Sequence, residues 1–214
     1  MASESLLQRL LAEDSFEHET FRDLDLDQAQ LGGKELYRCT FENCRLQESG
    51  WKNSRLEDCV VKGSDLTRAT FSGTGLRGVR FEGCKLMGVD WSAVAPHPEL
   101  AFEGCDLRYA SFVGLSLRRT PLLRCTAHEA NFLDSDLSEC DFAGTDLRGA
   151  TLRGCTLTAT DFSAATGLFL EPARNRLKDT RVAVEAAVLL AEAQGMRVAG
   201  YSAEPKRSGK RGRS

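Results

Sequence analysis

The sequence predicts a repeat solenoid, and two periodicities carry that expectation. The first is an apolar centre every five residues. Between Asn131 and Phe162 the centres are Phe132, Leu137, Phe142, Leu147, Leu152, Leu157 and Phe162, each preceded two places earlier by a small residue. A period of five fits neither the 3.6 of a helix nor the 2.0 of a strand. The second period is twenty. Sorted at that spacing, the centres fall into four columns, and aromatic-rich columns alternate with leucine columns. One aromatic column runs Phe21, Phe41, Val61, Phe81, Phe102, Leu122, Phe142 and Phe162. Four-sided coils stacked on one another align such columns and bury a continuous core that no single repeat could make.

Taken in order, residues 1–13 read as a helical cap on the first coil. Ser3 is the expected N-cap, with Leu6, Leu7, Leu10 and Leu11 on one face. Residues 14–166 carry the repeat, with sixteen unbroken apolar centres from Phe16 to Trp91. Ser92 to Ala101 (SAVAPHPELA) interrupts it, because Trp91 to Phe102 is eleven residues where two repeats need ten. Pro96 and Pro98 lack the N–H that a ladder uses. A small loop is expected there, tipped by His97, with Pro96, His97, Pro98 and Glu99 as candidate partner contacts.

Beyond Phe162 the period ends at Gly167, and residues 167–201 read as a separate module. Val184, Ala187, Val188 and Ala191 share a helical face that Leu189 widens, Gly195 suits a C-terminal cap, and Met196–Val198 is expected to return as a short strand. So small an apolar module must bury itself on the solenoid or on a second copy. Residues 202–214 (SAEPKRSGKRGRS) read as a disordered, solvated basic tail. Its five cations, with no aromatic residue among them, predict no direct nucleic-acid binding.

Composition excludes several classes of function. The eight cysteines all occupy the small position of the repeat, with no CxxC, so they read as small buried hydrophobes rather than as metal ligands or disulfides. No nucleophile–His pairing, HExxH or phosphate-binding glycine loop is present, and the Asp residues before the centres recur because the repeat uses them. The expectation is a non-enzyme without cofactor or metal. Neither a long apolar run nor a signal-peptide pattern occurs, which predicts a cytoplasmic protein without a membrane partner. The chain has 28 basic and 31 acidic residues; without the tail the balance is 23 to 30, or −7. The Phe21 column carries a net acidic side, including Glu42, Glu82, Glu103, Asp141 and Asp161, and these are candidate contacts for a cationic groove.

Ser64-Asp65-Leu66, Ser135-Asp136-Leu137, Cys140-Asp141-Phe142 and Thr145-Asp146-Leu147 match the pattern [small]-[D/N]-[L/F]-x-x. On these residues the chain resembles the pentapeptide-repeat proteins, over roughly residues 14 to 164. The resemblance implies an all-β solenoid, a right-handed quadrilateral β-helix with a helical N-terminal cap and a C-terminal helix/strand dimerisation module. Pro172, Asn175, Leu177, Lys178, Arg181, Val182, Glu185-Ala186 and Leu189-Leu190 resemble the tail of the Qnr/MfpA/AlbG topoisomerase-protecting group. Cys84–Trp91 and Glu129–Phe132 also look like that group, whereas Val182 stands where it usually carries Phe. What this implies is a homodimer joined through Val182, Val184, Val188, Leu189, Met196 and Val198. The dimer is expected to mimic DNA and to protect DNA gyrase, with topoisomerase IV as a further target, from quinolone-, albicidin- or cystobactamid-type poisons, as acquired resistance or self-immunity. A generic protein-interaction scaffold is the alternative expectation.

Overall fold

A computed structural model describes residues 2–201, with side chains from Ser5 onward; the basic tail expected over 202–214 lies outside the described residues. The five-residue period becomes a corner. The residue two places after nearly every centre takes a left-handed conformation, as at Asp23 (φ 54°), Gln28 (φ 59°), Gly33 (φ 75°) and Arg38 (φ 51°), Ala93 and Ala164 being exceptions. Each repeat therefore makes one straight side and one turn, and four repeats close a coil. The centre and the small residue two before it point inward, while the other three positions face solvent.

All pairing among the described residues is parallel and keeps a twenty-residue register, except across the interruption, where it is twenty-one, as Phe81 with Phe102. On one side β1 (Ser15–Glu17), β3 (Glu35–Tyr37), β5 (Arg55–Glu57) and β7 (Gly75–Arg77) form a sheet. On the next, β2 (Thr20–Arg22), β4 (Thr40–Glu42), β6 (Val60–Lys62), β8 (Val79–Glu82), β9 (Leu100–Glu103) and β10 (Leu122–Leu123) form another. The remaining two sides are ladders of single bridges, such as Asp25 to Arg45 and Gln30 to Gly50. The molecule is thus a parallel β-solenoid of about eight turns with the core along its axis. Phe21 stacks on Phe41 at 4.7 Å, and Phe112 on Phe132 at 4.9 Å on the opposite side. The two aromatic columns meet edge-to-face across the centre, as Phe41 with Trp51 at 5.4 Å. These stacked and edge-on geometries suit the aromatic quadrupole.

Both ends differ from the sequence expectation. Helix α1 (Ala2–Ala12) already includes Ser3, so Ser3 is not its N-cap. Its inward face is Leu10 with Leu6 and Leu7, while Leu11 is 51% exposed. Below it the side chain of Lys34 occupies a small position, buried to 4%, and its Nζ donates to the Glu13 carbonyl and to Asp14 Oδ1.

At the other end the solenoid outlasts the sequence period. Past Gly167, β13 (Arg176–Lys178) pairs with β11 (Thr156–Thr158), and β14 (Arg181–Val182) pairs with β12 (Asp161–Phe162). Strands therefore precede helix α2 (Val184–Ala193), and Met196–Val198 is not a strand. The helix is also rotated from the expected face: Ala186 joins the core with Val182 and Leu190 against it, while Val184 and Ala187 are exposed. Packing against the last coil, rather than the pattern within the helix, decides which face turns inward.

Candidate partner-binding surfaces

The interruption is a bulge of the coil rather than a free loop. Trp91–Ala93 forms a single 3-10 turn capped by the Asp90 side chain on Ser92 N–H. Ala95 N–H donates to Thr74 O at 2.9 Å and Glu99 N–H to Leu76 O at 2.9 Å, so both flanks stay on the ladder. Pro98 is buried and sits between Leu76 and Leu117 along the chain of inward-facing centres, which removes it as a partner contact. Only Pro96, His97 and Glu99 of the four expected contacts face solvent. The left-handed residue of this corner is His97 (φ 58°).

The acidic side is a ladder of ion pairs. Glu42 pairs with Arg22 at 2.7 Å, Glu82 with Lys62 at 3.3 Å, Glu103 with Arg124, and Asp161 with Arg181 at 3.4 Å. Asp141 instead accepts the Ala143 N–H at 2.9 Å. The sequence already places Arg22, Lys62, Arg80 and Arg124 on this side as a partial offset; the stack adds that Arg22, Lys62 and Arg124 each lie opposite a carboxylate one coil away. Arg45 with Asp25, Lys85 with Asp65 and Arg119 with Glu139 follow the same rule on other sides. Exposed pairs of this kind contribute at most about 1 kcal/mol each, but they lower the negative potential a partner would meet.

The recurring Asp has a local job. Its Oδ1 accepts the N–H two residues on, as Asp65 from Thr67 at 3.1 Å and Asp136 from Ser138 at 3.0 Å, satisfying a donor that points away from the ladder. Asp146 also takes His128 Nε2 at 2.8 Å and Arg148 at 2.7 Å. The Arg148 hydrogen bond, then that of His128, holds its carboxyl well below the usual carboxylate range despite partial burial.

All eight cysteines are buried free thiols; seven Sγ atoms donate to carbonyls of the coil below, as Cys140 to Leu117 O at 2.8 Å, and Cys125 donates to Leu123 O of its own repeat at 3.3 Å. Burial pushes the Cys140 thiol up to about 12 and the Cys155 thiol to about 11. Among the described residues no group of three or more His, Cys, Asp or Glu side chains is arranged to hold a metal, and no helix is long and apolar enough to cross a membrane.

The C-terminal end carries the apolar surface. Phe169 is 60% exposed, Val184 53%, Leu189 47% and Met196 57%, with Leu177 and Tyr201 also outside. Of the expected dimer residues, Val184, Leu189 and Met196 lie in this patch, Val182 and Val198 are half-buried, and Val188 is buried within the protomer.

Comparison with known proteins agrees with this geometry. A family model described as a pentapeptide repeat region matches residues 34–95, and one for pentapeptide repeats in eight copies matches residues 130–166. No curated protein matches the chain. Among solved structures, a trypsin-treated variant of QnrB1, a plasmid-mediated fluoroquinolone resistance protein, is similar with a TM-score of 0.68. The identity is 22%, over 90% of this chain and 94% of that one. Full-length QnrB1 superposes with a TM-score of 0.54 at 20% identity, over 85% of this chain and 90% of that one. At such identities the likeness is one of fold. Repeat, corner, column and superposition agree on a pentapeptide-repeat β-solenoid, with pentapeptide-repeat models matched at residues 34–95 and 130–166.

Proposed function

We propose that this protein is a non-enzymatic protector of bacterial type II topoisomerase, chiefly DNA gyrase, acting in the cytoplasm against topoisomerase-poison antibiotics. The observation that carries the reading is the QnrB1 fold, followed over 90% of this chain and 94% of that one. Two further features support it. The body of the rod has a net charge of −7, which favours approach to a groove built for DNA phosphates. The apolar patch around Leu189 and Met196 suits a two-fold contact between copies, and a dimer would double the rod. In this reading the acidic side and the Pro96–His97 bulge face the enzyme, while the C-terminal patch joins the protomers.

The ion-pair ladder on the acidic side favours a second reading, a general interaction scaffold, because paired carboxylates imitate phosphates poorly. One experiment separates the two. Purified gyrase is challenged with a quinolone, albicidin or cystobactamid while this protein is titrated in, and trapped double-strand breaks are counted. A dose-dependent fall with restored supercoiling supports protection. Unchanged cleavage with every poison, at protein well above enzyme, leaves the scaffold.

A further inference from the structure

The bulge removes hydrogen-bond acceptors from one side of the solenoid. In the intact coils the corner N–H of this side donates to the coil above: Arg38 to Glu57 O at 2.8 Å, Asp58 to Arg77 O at 2.8 Å and Arg119 to Ser138 O at 3.0 Å. Gly78 is the same corner directly below the bulge. The register sets the Pro98 carbonyl opposite it, the neighbouring Val79 N–H takes the Glu99 carbonyl at 3.0 Å, and among the described residues Gly78 N–H has no backbone acceptor. Ser116 shows the same loss from above. Its counterparts Asp136 and Thr156 donate downward to Leu115 O and Ser135 O, both at 3.0 Å, and Ser116 does not.

A cleft of about 560 Å³ opens at this corner, lined by Gly78, Arg80, Arg118 and Arg119 together with Asp58 and Glu99. That volume is within the roughly 300–1,000 Å³ of ligand-binding recesses. Arg118 and Arg119 share Glu139 at 2.8 Å, and Arg118 also has Asp136 at 3.7 Å, both acceptors outside the lining, and each arginine keeps further donors. Among the described residues Arg80 has only Glu82, at 3.9 Å, as an acidic neighbour within ion-pair distance. Glu99 makes no ion pair among the described residues. The recess thus offers an unused backbone donor and three guanidinium groups on a rod that is otherwise net negative.

We infer that this cleft is a docking site for an acidic segment of a protein partner. Carboxylates of the segment sit against Gly78 N–H and the guanidinium forks of Arg80, Arg118 and Arg119, the geometry in which arginine binds carboxylate two bonds at a time. Glu99 accepts a cation of the segment, and together with Asp58, which pairs with Arg38 at 3.7 Å, it disfavours a polyanion such as nucleic acid in the same lining. The bulge thereby acts by making a recess rather than by reaching outward. This holds whichever protein is the partner, a topoisomerase or another.

The test is amide and arginine Nε–H NMR on the full chain, titrated with a short acetylated peptide alternating glutamate and alanine. Saturable shifts are expected at Gly78, Arg80 and Arg118, with binding weakened by about tenfold or more in the Arg80→Glu/Arg118→Glu double variant. Both residues are exposed, so circular dichroism of that variant should match the wild type. Absence of a shift at Gly78 up to millimolar peptide, or shifts unchanged in the double variant, would overturn the inference. Equal shifts with inorganic phosphate or a short DNA duplex would overturn it too, reducing the cleft to a general anion site.

Discussion

Trp51 and Trp91 occupy the same column, yet only one is satisfied. Trp51 Nε1 donates to Ser49 Oγ at 3.0 Å, whereas Trp91 Nε1 is buried without a partner among the described residues. The residue two before it is Val89, and the rings match in orientation, each 11° from the plane of Phe71 between them. Val89→Thr supplies the hydroxyl at nearly constant volume and should raise stability by about 1 kcal/mol in urea unfolding; a loss would show that the rotamer differs. Tyr109 holds a left-handed corner (φ 60°) with its ring 56% exposed, where the next coil down has Gly88. Tyr109→Gly removes that backbone strain, so its unfolding free energy, from thermal melts, should equal or exceed the wild type's by up to about 1 kcal/mol. Each cysteine is at most 2% exposed. Iodoacetamide at neutral pH should therefore label none of the eight until the chain is unfolded, when mass spectrometry should count all eight.

At the scale of elements, the C-terminal helix separates packing from association. Val188 is 7% exposed and Leu189 47%. If the proposed dimer forms through this patch, Leu189→Asp should leave the thermal midpoint nearly unchanged and give a monomer in sedimentation, while Val188→Asp should lower the midpoint whatever the oligomer, because it buries a charge. A Leu189→Asp protein that still sediments as a dimer would put the interface elsewhere. The sequence placed a helix here correctly, since Val184 to Ala193 is apolar and lacks breakers. It could not orient that helix: Val184, Ala187 and Val188 make as good a stripe as Ala186 and Leu190. Nor did it show β13 and β14: Gly167 and Pro172 break the run of apolar centres, although Leu177 and Val182 beyond them stand twenty residues after Leu157 and Phe162 and pair with them. The bulge was legible as an extra residue between two prolines. That Pro98 turns inward and Gly78 loses its acceptor depended on which carbonyls the neighbouring coil offered.

For the whole molecule, stability is that of a one-dimensional stack in which each coil touches only its neighbours. Removing twenty residues, 122–141, should keep every column aligned and give a folded, cooperative rod one coil shorter. Removing only 137–141 should turn everything above by one side, setting Phe142 and Phe162 over leucine positions and breaking the aromatic stacks; circular dichroism and melting distinguish these outcomes. Equal behaviour of the two deletions would refute the twenty-residue register as the organising unit. The same stacking sets the electrostatics, because Arg22 finds Glu42 and Arg119 finds Glu139 only across a coil.

What the sequence determined by itself was the local and repeated part: the corner every five residues, the four columns, and the burial of the eight small-position thiols. These depend on side chains within one repeat, and the chain states them some thirty times over. The tertiary structure decided the rest: the ion pairs that offset the acidic side, the rotation of the last helix, the two strands beyond the period, and the recess under the bulge. Each of these turns on contacts between residues about twenty apart at a place where the repeat is broken or varied. There the outcome is set by which backbone and side-chain partners the adjacent coil leaves free, and no single stretch of sequence contains both halves of that contact.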